Sequence, residues 1–202
     1  MAGLRQNILR SAEDIFTRHD YHEVLMEDVA RACGVAKGTV YRYFPSKRAL
    51  YLGVMFEGVE RLQQALRAAL GNPVTPVRKI ESAVRCVLGH FWDRRFFFTL
   101  INRNEHKPWD PDNREWLRRR AELSRTIQRA VEEAMQAGYV RRVDARVATE
   151  MLLGMLRGAN RYRGTHDTLE DMVGAVVGVF LRGVGTASGR RRGTNGRKRV
   201  CG

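Results

Sequence analysis

Seven residues in one short stretch have the character of a nucleic-acid contact: Lys37, Gly38, Thr39, Tyr41, Arg42 and Tyr43, followed by Lys47. Lysine, arginine and tyrosine can bind phosphate oxygens, while arginine or threonine can also read base edges. That chemistry requires the residues to share an outward face, and the surrounding segment DVARACGVAKGTVYRYFPSK predicts one. Val29 and Ala30 fall on the inner side of a first helix, and Ala30 is small enough for a second helix to cross close against it. Gly34 stands where the first helix must end with a left-handed residue, a conformation glycine adopts without Cβ strain. Val35 and Val40 then supply the apolar contacts that hold the second helix. The order of helix, glycine turn, short basic helix and aromatic hinge predicts a helix-turn-helix reader of the DNA major groove.

The segment GVAKGTVYRYFPSKRAL closely resembles the TetR family of bacterial transcriptional repressors, and the match extends upstream through ILRSAEDIFTRHDYHEVLMEDVA. It covers roughly the first quarter of the chain and includes the joint spacing of Ala30, Gly34, Tyr41, Phe44, Lys47 and Leu50. Downstream the likeness is one of length and helical organisation. The resemblance implies that Lys37, Gly38, Thr39, Arg42 and Tyr43 face the groove and that Tyr41 and Lys47 contact phosphate. Several positions depart from the family's habit. Asp20 replaces a usual glycine, Val24 and Leu25 replace a capping threonine or serine, and Ala36 replaces a capping serine. A lost cap typically costs about 1 kcal/mol. Glu27, near the groove, would repel phosphate unless it accepts a hydrogen bond from cytosine.

The 202-residue chain carries a formal charge of +14, unevenly distributed. Residues 1–50 hold eight Lys/Arg against six Asp/Glu, whereas the segment after Gly189 holds six basic residues and no acid. That tail, with almost no apolar content, is expected to be disordered and could add non-specific DNA affinity by releasing counterions. Cys33, Cys86 and Cys201 are odd in number and far apart, so neither a disulfide framework nor a zinc site is expected. The N-terminus has no signal-peptide pattern, and the run from Met172 to Leu181 is shorter than the ~20 residues of a membrane span. A cytoplasmic protein that does not enter the membrane is expected.

Helical periodicity continues throughout, with no strand alternation and no repeat. Ser46 should cap a long helix ending at Gly71, and Pro76 should open the next, with Ile80, Val84, Val87, Leu88 and Phe91 facing inward. A short aromatic helix is expected around Phe96 to Asn104. Asp112 and Glu115 suit the start of a long helix running to Gly138. Two more helices should cover Asp144 to Arg163 and Thr168 to Val184. The expected fold is all-α, with a DNA-binding domain over residues 1–48, a helical ligand-binding and dimerisation domain over 49–186, and a basic tail over 187–202.

Gly154 and Gly158 are four apart, as are Gly174 and Gly178, a spacing that permits close helix approach. Packing within the chain would explain them as well as packing against a second copy. Given the resemblance, which implies dimerisation through the last two long helices, Gly154, Gly158, Met172, Val173, Val176, Val177, Phe180 and Leu181 are expected at a homodimer interface. Phe91, Trp92, Phe96, Phe98, Trp109 and Trp116, with Met151, Met155 and Tyr162, are candidates for the apolar walls of a small-molecule chamber. An aromatic cluster between helices is more often plain core. Asn102, Arg103, His106, Asn160 and Arg161 are polar groups that could orient a ligand of acyl or aromatic character.

No enzyme is expected. The five histidines are scattered, and no phosphate loop, dinucleotide fingerprint or nucleophile elbow occurs. No cofactor is implied. The expected function is a homodimeric repressor that binds double-stranded palindromic DNA and is released by a small, largely apolar inducer. The alternative is a ligand-binding or carrier module with only weak, non-specific DNA binding.

Overall fold

The computed structural model describes residues 2–92 and 111–184, and among these it contains eight helices and no strand. They are α1 (Ala2–Arg18), α2 (Met26–Cys33), α3 (Lys37–Tyr43), α4 (Lys47–Gly71), α5 (Pro76–Trp92), α6 (Pro111–Gln136), α7 (Ala145–Tyr162) and α8 (Leu169–Val184). Phe96, Phe98, Asn102 and Trp109, with Arg103 and His106, the short aromatic helix and the basic tail, lie outside the described residues. No described helix is long and apolar enough to cross a membrane. By their contacts the described residues form two units, one of 2–61 with 111–118 and one of 62–92 with 119–184.

In the first unit, α1 repeats apolar residues at helical spacing, and Ile8, Leu9, Ala12 and Phe16 are buried. They share a core with Val29, Ala30, Val40, Phe44, Leu50 and Val54. The Phe16 ring meets the Tyr51 ring edge to face at 5.4 Å. Two polar bridges fix α1 on α4. Gln6 Nε2 donates to Glu57 Oε1 at 2.7 Å, and one Arg61 nitrogen donates to both carboxylate oxygens of the buried Glu13 at 2.7 Å. Gly53 in α4 makes room for the hinge aromatic, because a Cβ there would lie 2.9 Å from Phe44 Cε1 and 3.1 Å from Leu9 Cδ2.

The helix boundaries follow local chemistry. Ser46 Oγ accepts the Ala49 amide at 3.0 Å at the start of α4, and Pro76 occupies the first position of α5. Asp144 accepts the Val147 amide at 3.0 Å and so caps α7. Thr168 and Asp171 cap α8 reciprocally, the Thr168 hydroxyl accepting the Asp171 amide at 3.2 Å and Asp171 Oδ2 accepting the Thr168 amide at 3.4 Å. Gly138 takes the left-handed conformation just past α6, with φ of 76°. In the second unit α5 packs against both α7 and α8, which pack on each other. The α5 stripe of Ile80, Val84, Val87, Leu88 and Phe91 is buried as its spacing requires.

Candidate nucleic-acid interface

The reader is built by α2 and α3, neither of which has a side-chain N-cap. Leu25 and Ala36 occupy the cap positions in extended conformation and make no capping bond. What holds the pair is the turn. Gly34 sits at φ 68° and ψ 31°, its amide donates to the Arg31 carbonyl at 3.1 Å, and the Val35 amide donates to the Ala30 carbonyl at 3.0 Å. Those two bonds satisfy the last carbonyls of α2 and set the direction of the chain into α3. Val40 is fully buried and anchors α3 beside the buried Val29 and Ala30. At its far end α3 stops at Phe44, in extended conformation, ahead of Pro45.

With Val40 turned inward, Lys37, Gly38, Tyr41 and Arg42 are exposed, and Thr39 and Tyr43 are half-buried. The Lys37 ammonium is 5.7 Å from the centre of the Tyr41 ring, and the Arg42 guanidinium is 5.7 Å from that of Tyr43. Lys37 also pairs with Glu27 Oε1 across the turn. The Lys37 hydrogen bond holds the Glu27 carboxyl below its ordinary range, and the same bond raises Lys37. In the sequence the two residues stand apart, Lys37 as a groove-facing cation and Glu27 as an acid that repels phosphate unless it accepts from cytosine. A separation of ten positions across a turn carries no periodic signal that would pair them.

The Lys47 ammonium, expected at phosphate, donates within the chain to the carbonyls of Tyr21, His22 and Val24 at 2.7, 3.2 and 3.0 Å and lies 4.7 Å from the centre of the Tyr21 ring. Three carbonyl acceptors match the three donors of an ammonium. The side chain therefore clamps the loop between α1 and α2. Cys33, at the end of α2, is half-buried, with Sγ 4.0 Å from the Asn7 carbonyl.

The interface and chamber residues divide more sharply than the sequence suggests. Val173, Val176 and Phe180, expected at a dimer interface, belong to the chain's own core, because their spacing places them together on the inner stripe of α8. Met172, Val177 and Leu181 are half-buried beside that stripe. Among the described residues nothing lies within 4 Å of a Cβ added at Gly158 or Gly174, and at Gly154 an arginine side-chain tip comes within 3.9 Å. Packing among the described residues does not require these glycines. Met151 and Tyr162, expected to line a chamber, are 63% and 80% exposed. The buried stripe of α7 runs through Ala148, Leu152, Leu156 and Asn160, and Met151 falls about 100° away from Leu152 on the outer side.

Of the other candidate chamber residues, Phe91 is buried, Met155 is half-buried, and Trp116 is buried within the first unit. Trp92 is half-buried under the Arg163 guanidinium, 3.9 Å from the centre of its ring, and the same arginine donates to the Trp92 carbonyl. Asn160 is completely buried. Its amide nitrogen reaches the Leu156 carbonyl at 3.4 Å, and its Oδ1 has no hydrogen-bond partner among the described residues. No group of three or more metal-ligating side chains occurs among the described residues.

A helix-turn-helix joined to a larger helical body defines a class of DNA-reading regulator, and comparison with known proteins narrows it. Residues 8–54 match the model of the bacterial regulatory proteins of the tetR family, and residues 73–184 match that of the tetracyclin repressor-like C-terminal domain. The chain belongs to the TetR family, whose members are regulatory proteins and not enzymes. The HTH-type transcriptional activator FasR of Mycolicibacterium smegmatis is 28% identical over 102 residues, 50% of this chain and 47% of FasR. The chain thus spans about half the length of the relatives it matches by sequence. A TetR/AcrR-family regulator from Thermobifida fusca has the same fold, with a TM-score of 0.74 and 23% identity over 89% of this chain and 97% of that one. AibR, solved with isovaleryl coenzyme A and operator DNA, aligns with a TM-score of 0.71 and 20% identity over 87% of this chain and 97% of its own.

Proposed function

We propose that this protein is a homodimeric, cytoplasmic transcriptional repressor that binds a palindromic operator and is released by a small, largely apolar ligand. The observation that carries the DNA reading is the Gly34 turn with Val40 buried, which leaves Lys37, Gly38, Tyr41 and Arg42 together on the open side of α3. One seven-residue helix contacts few bases. A two-fold dimer would present two such helices about 34 Å apart, matched to successive turns of the groove. The open glycines of α7 and α8 support dimerisation, since a second copy is what their missing side chains would admit.

The buried, unanswered Oδ1 of Asn160 supports a ligand, because an acceptor left unpaired inside a protein is costly and a bound donor would relieve it. The acyl thioester solved with AibR makes an acyl-type inducer a reasonable class, alongside apolar aromatic compounds. Release requires that the ligand prefer the form that does not bind DNA. Coupling of ~1 to 3 kcal/mol gives a roughly 5- to 150-fold loss of affinity. Lys47, the first residue of α4, grips the loop leading into α2, so displacement of α4 would be felt at the reader. The carrier-module alternative is favoured by one fact, that Arg31, Lys37 and Lys47 are all engaged within the protein.

Selection of bound duplexes from a random pool, at near-physiological salt with competitor DNA, separates the readings. An enriched palindrome establishes the operator-binding dimer. Binding without enrichment that vanishes as salt rises favours the alternative.

A further inference from the structure

We infer that Glu27 and Lys37 work as one unit that reads a C·G base pair in each half-site, with the Glu27 carboxylate accepting from cytosine N4 and the Lys37 ammonium donating to guanine. This deepens the operator-binding reading and rests on it. Lys37 is the first residue of α3, and the N-terminal residues of a recognition helix are those that meet base edges. Glu27 stands in the first turn of α2 and touches Lys37 directly, so it lies one ion pair away from the same edges. Both side chains are about half open, at 45% for Glu27 and 52% for Lys37, which leaves atoms of each available to a third partner.

The chemistry of the pair selects the base. A carboxylate with its proton held off by Lys37 is purely an acceptor, and phosphate oxygens repel it. Among base edges in the major groove it can be satisfied by the amino group of cytosine or of adenine, and the ammonium beside it decides between them. The ammonium keeps two N–H donors after Glu27 takes one, and guanine offers O6 and N7 side by side. A C·G pair is therefore complementary to the pair of side chains, donor facing carboxylate and two acceptors facing ammonium. With T·A in that place, thymine O4 would face the carboxylate, so closing the interface would strip water from Glu27 and set an acceptor against it; wrong sites are rejected as well as the right one accepted. Of the cations nearby, Arg31 pairs with Asp28 and Lys47 is held by loop carbonyls.

The test compares the base preferences of the full-length protein with those of Glu27→Ala and Lys37→Ala, each selected against the same random duplex pool and then titrated against single-position variants of the enriched site. Both substitutions lie on the surface, and thermal melting verifies that the variants are folded. The expected result is a fixed C·G position in each half-site of the wild-type sequence, where exchange for T·A weakens binding roughly 5- to 150-fold. Both variants should bring that discrimination to within about twofold while other positions keep theirs. A Glu27→Ala protein that retains every wild-type preference, even if it binds all DNA more tightly, would overturn the assignment. A wild-type protein that enriches no palindrome would overturn the operator-binding reading itself, and the role of the pair with it.

Discussion

The Lys47 ammonium lies 2.7 Å from the carbonyl oxygen of Tyr21 and 4.7 Å from the centre of that residue's own ring. A side chain at the start of α4 thus holds the segment entering α2 by both its backbone and its aromatic face. Charge-assisted bonds of this kind are worth more than neutral ones. Lys47→Ala should destabilise the protein by about 1.5 to 3 kcal/mol in urea unfolding. It should weaken operator binding and leave the salt slope unchanged. A flattened slope would show instead that Lys47 neutralises a phosphate.

Gly53 predicts a steric effect near the same hinge. An added Cβ would press on Phe44 Cε1 at 2.9 Å and Leu9 Cδ2 at 3.1 Å. Gly53→Ala gains helix propensity but should still lower stability by about 1 to 3 kcal/mol through overpacking. Calorimetry showing an unchanged or higher melting temperature would mean that the ring moves aside freely.

At Gly34 the constraint is conformational, since among the described residues nothing lies within 4 Å of an added Cβ but φ is 68°. Gly34→Ala should cost about 1 to 2 kcal/mol, the penalty of placing an L side chain in the left-handed region. Gly34→Asn should cost less, because asparagine enters that region more readily. Equal losses for the two variants in chemical denaturation would contradict this account.

Gly158 separates folding from assembly. Its Cβ position is open among the described residues. Gly158→Leu should therefore leave the helical circular dichroism intact and shift sedimentation from dimer to monomer. Persistence of the dimer would move the interface away from this face of α7.

Burial pushes the Cys86 thiol above its ordinary value of 9.0. The thiolate is the disfavoured form, so the thiol adds stability below the unfolded value, and that contribution fades as pH rises through the higher folded one. At pH 8, iodoacetamide should label Cys86 more slowly in the native protein than in urea, with the rates read by mass spectrometry. Equal rates would indicate an open site.

Features dictated by backbone geometry were legible in the sequence. Gly34 declared the turn, Ser46, Pro76 and Asp144 declared helix starts, and the α5 stripe declared its buried face. Absence was legible too, since Leu25 and Ala36 lack capping atoms whatever surrounds them. What escaped depended on long side chains choosing partners. The Lys47 ammonium could reach phosphate or loop carbonyls, and only the fold brings the carbonyls of Tyr21, His22 and Val24 to it. The hydrophobicity of Met151 and Val173 was visible, but the side of the helix each would occupy depended on where neighbouring helices settle. Membership of a cluster in sequence therefore did not distinguish core from surface.

The uncapped starts of α2 and α3 bear on how this reader could be moved between proteins. Helices of eight and seven residues lie well below the length at which a helix persists alone in water. Their order comes from Ile8, Leu9 and Phe16 on one side and from α4 on the other, with Gln6, Glu13, Glu57 and Arg61 fastening the two. A chimera exchanging only residues 26–43 would import the contact surface without its support. The natural cassette for grafting a new DNA preference onto this body ends near Arg61, within α4, and includes all of α1.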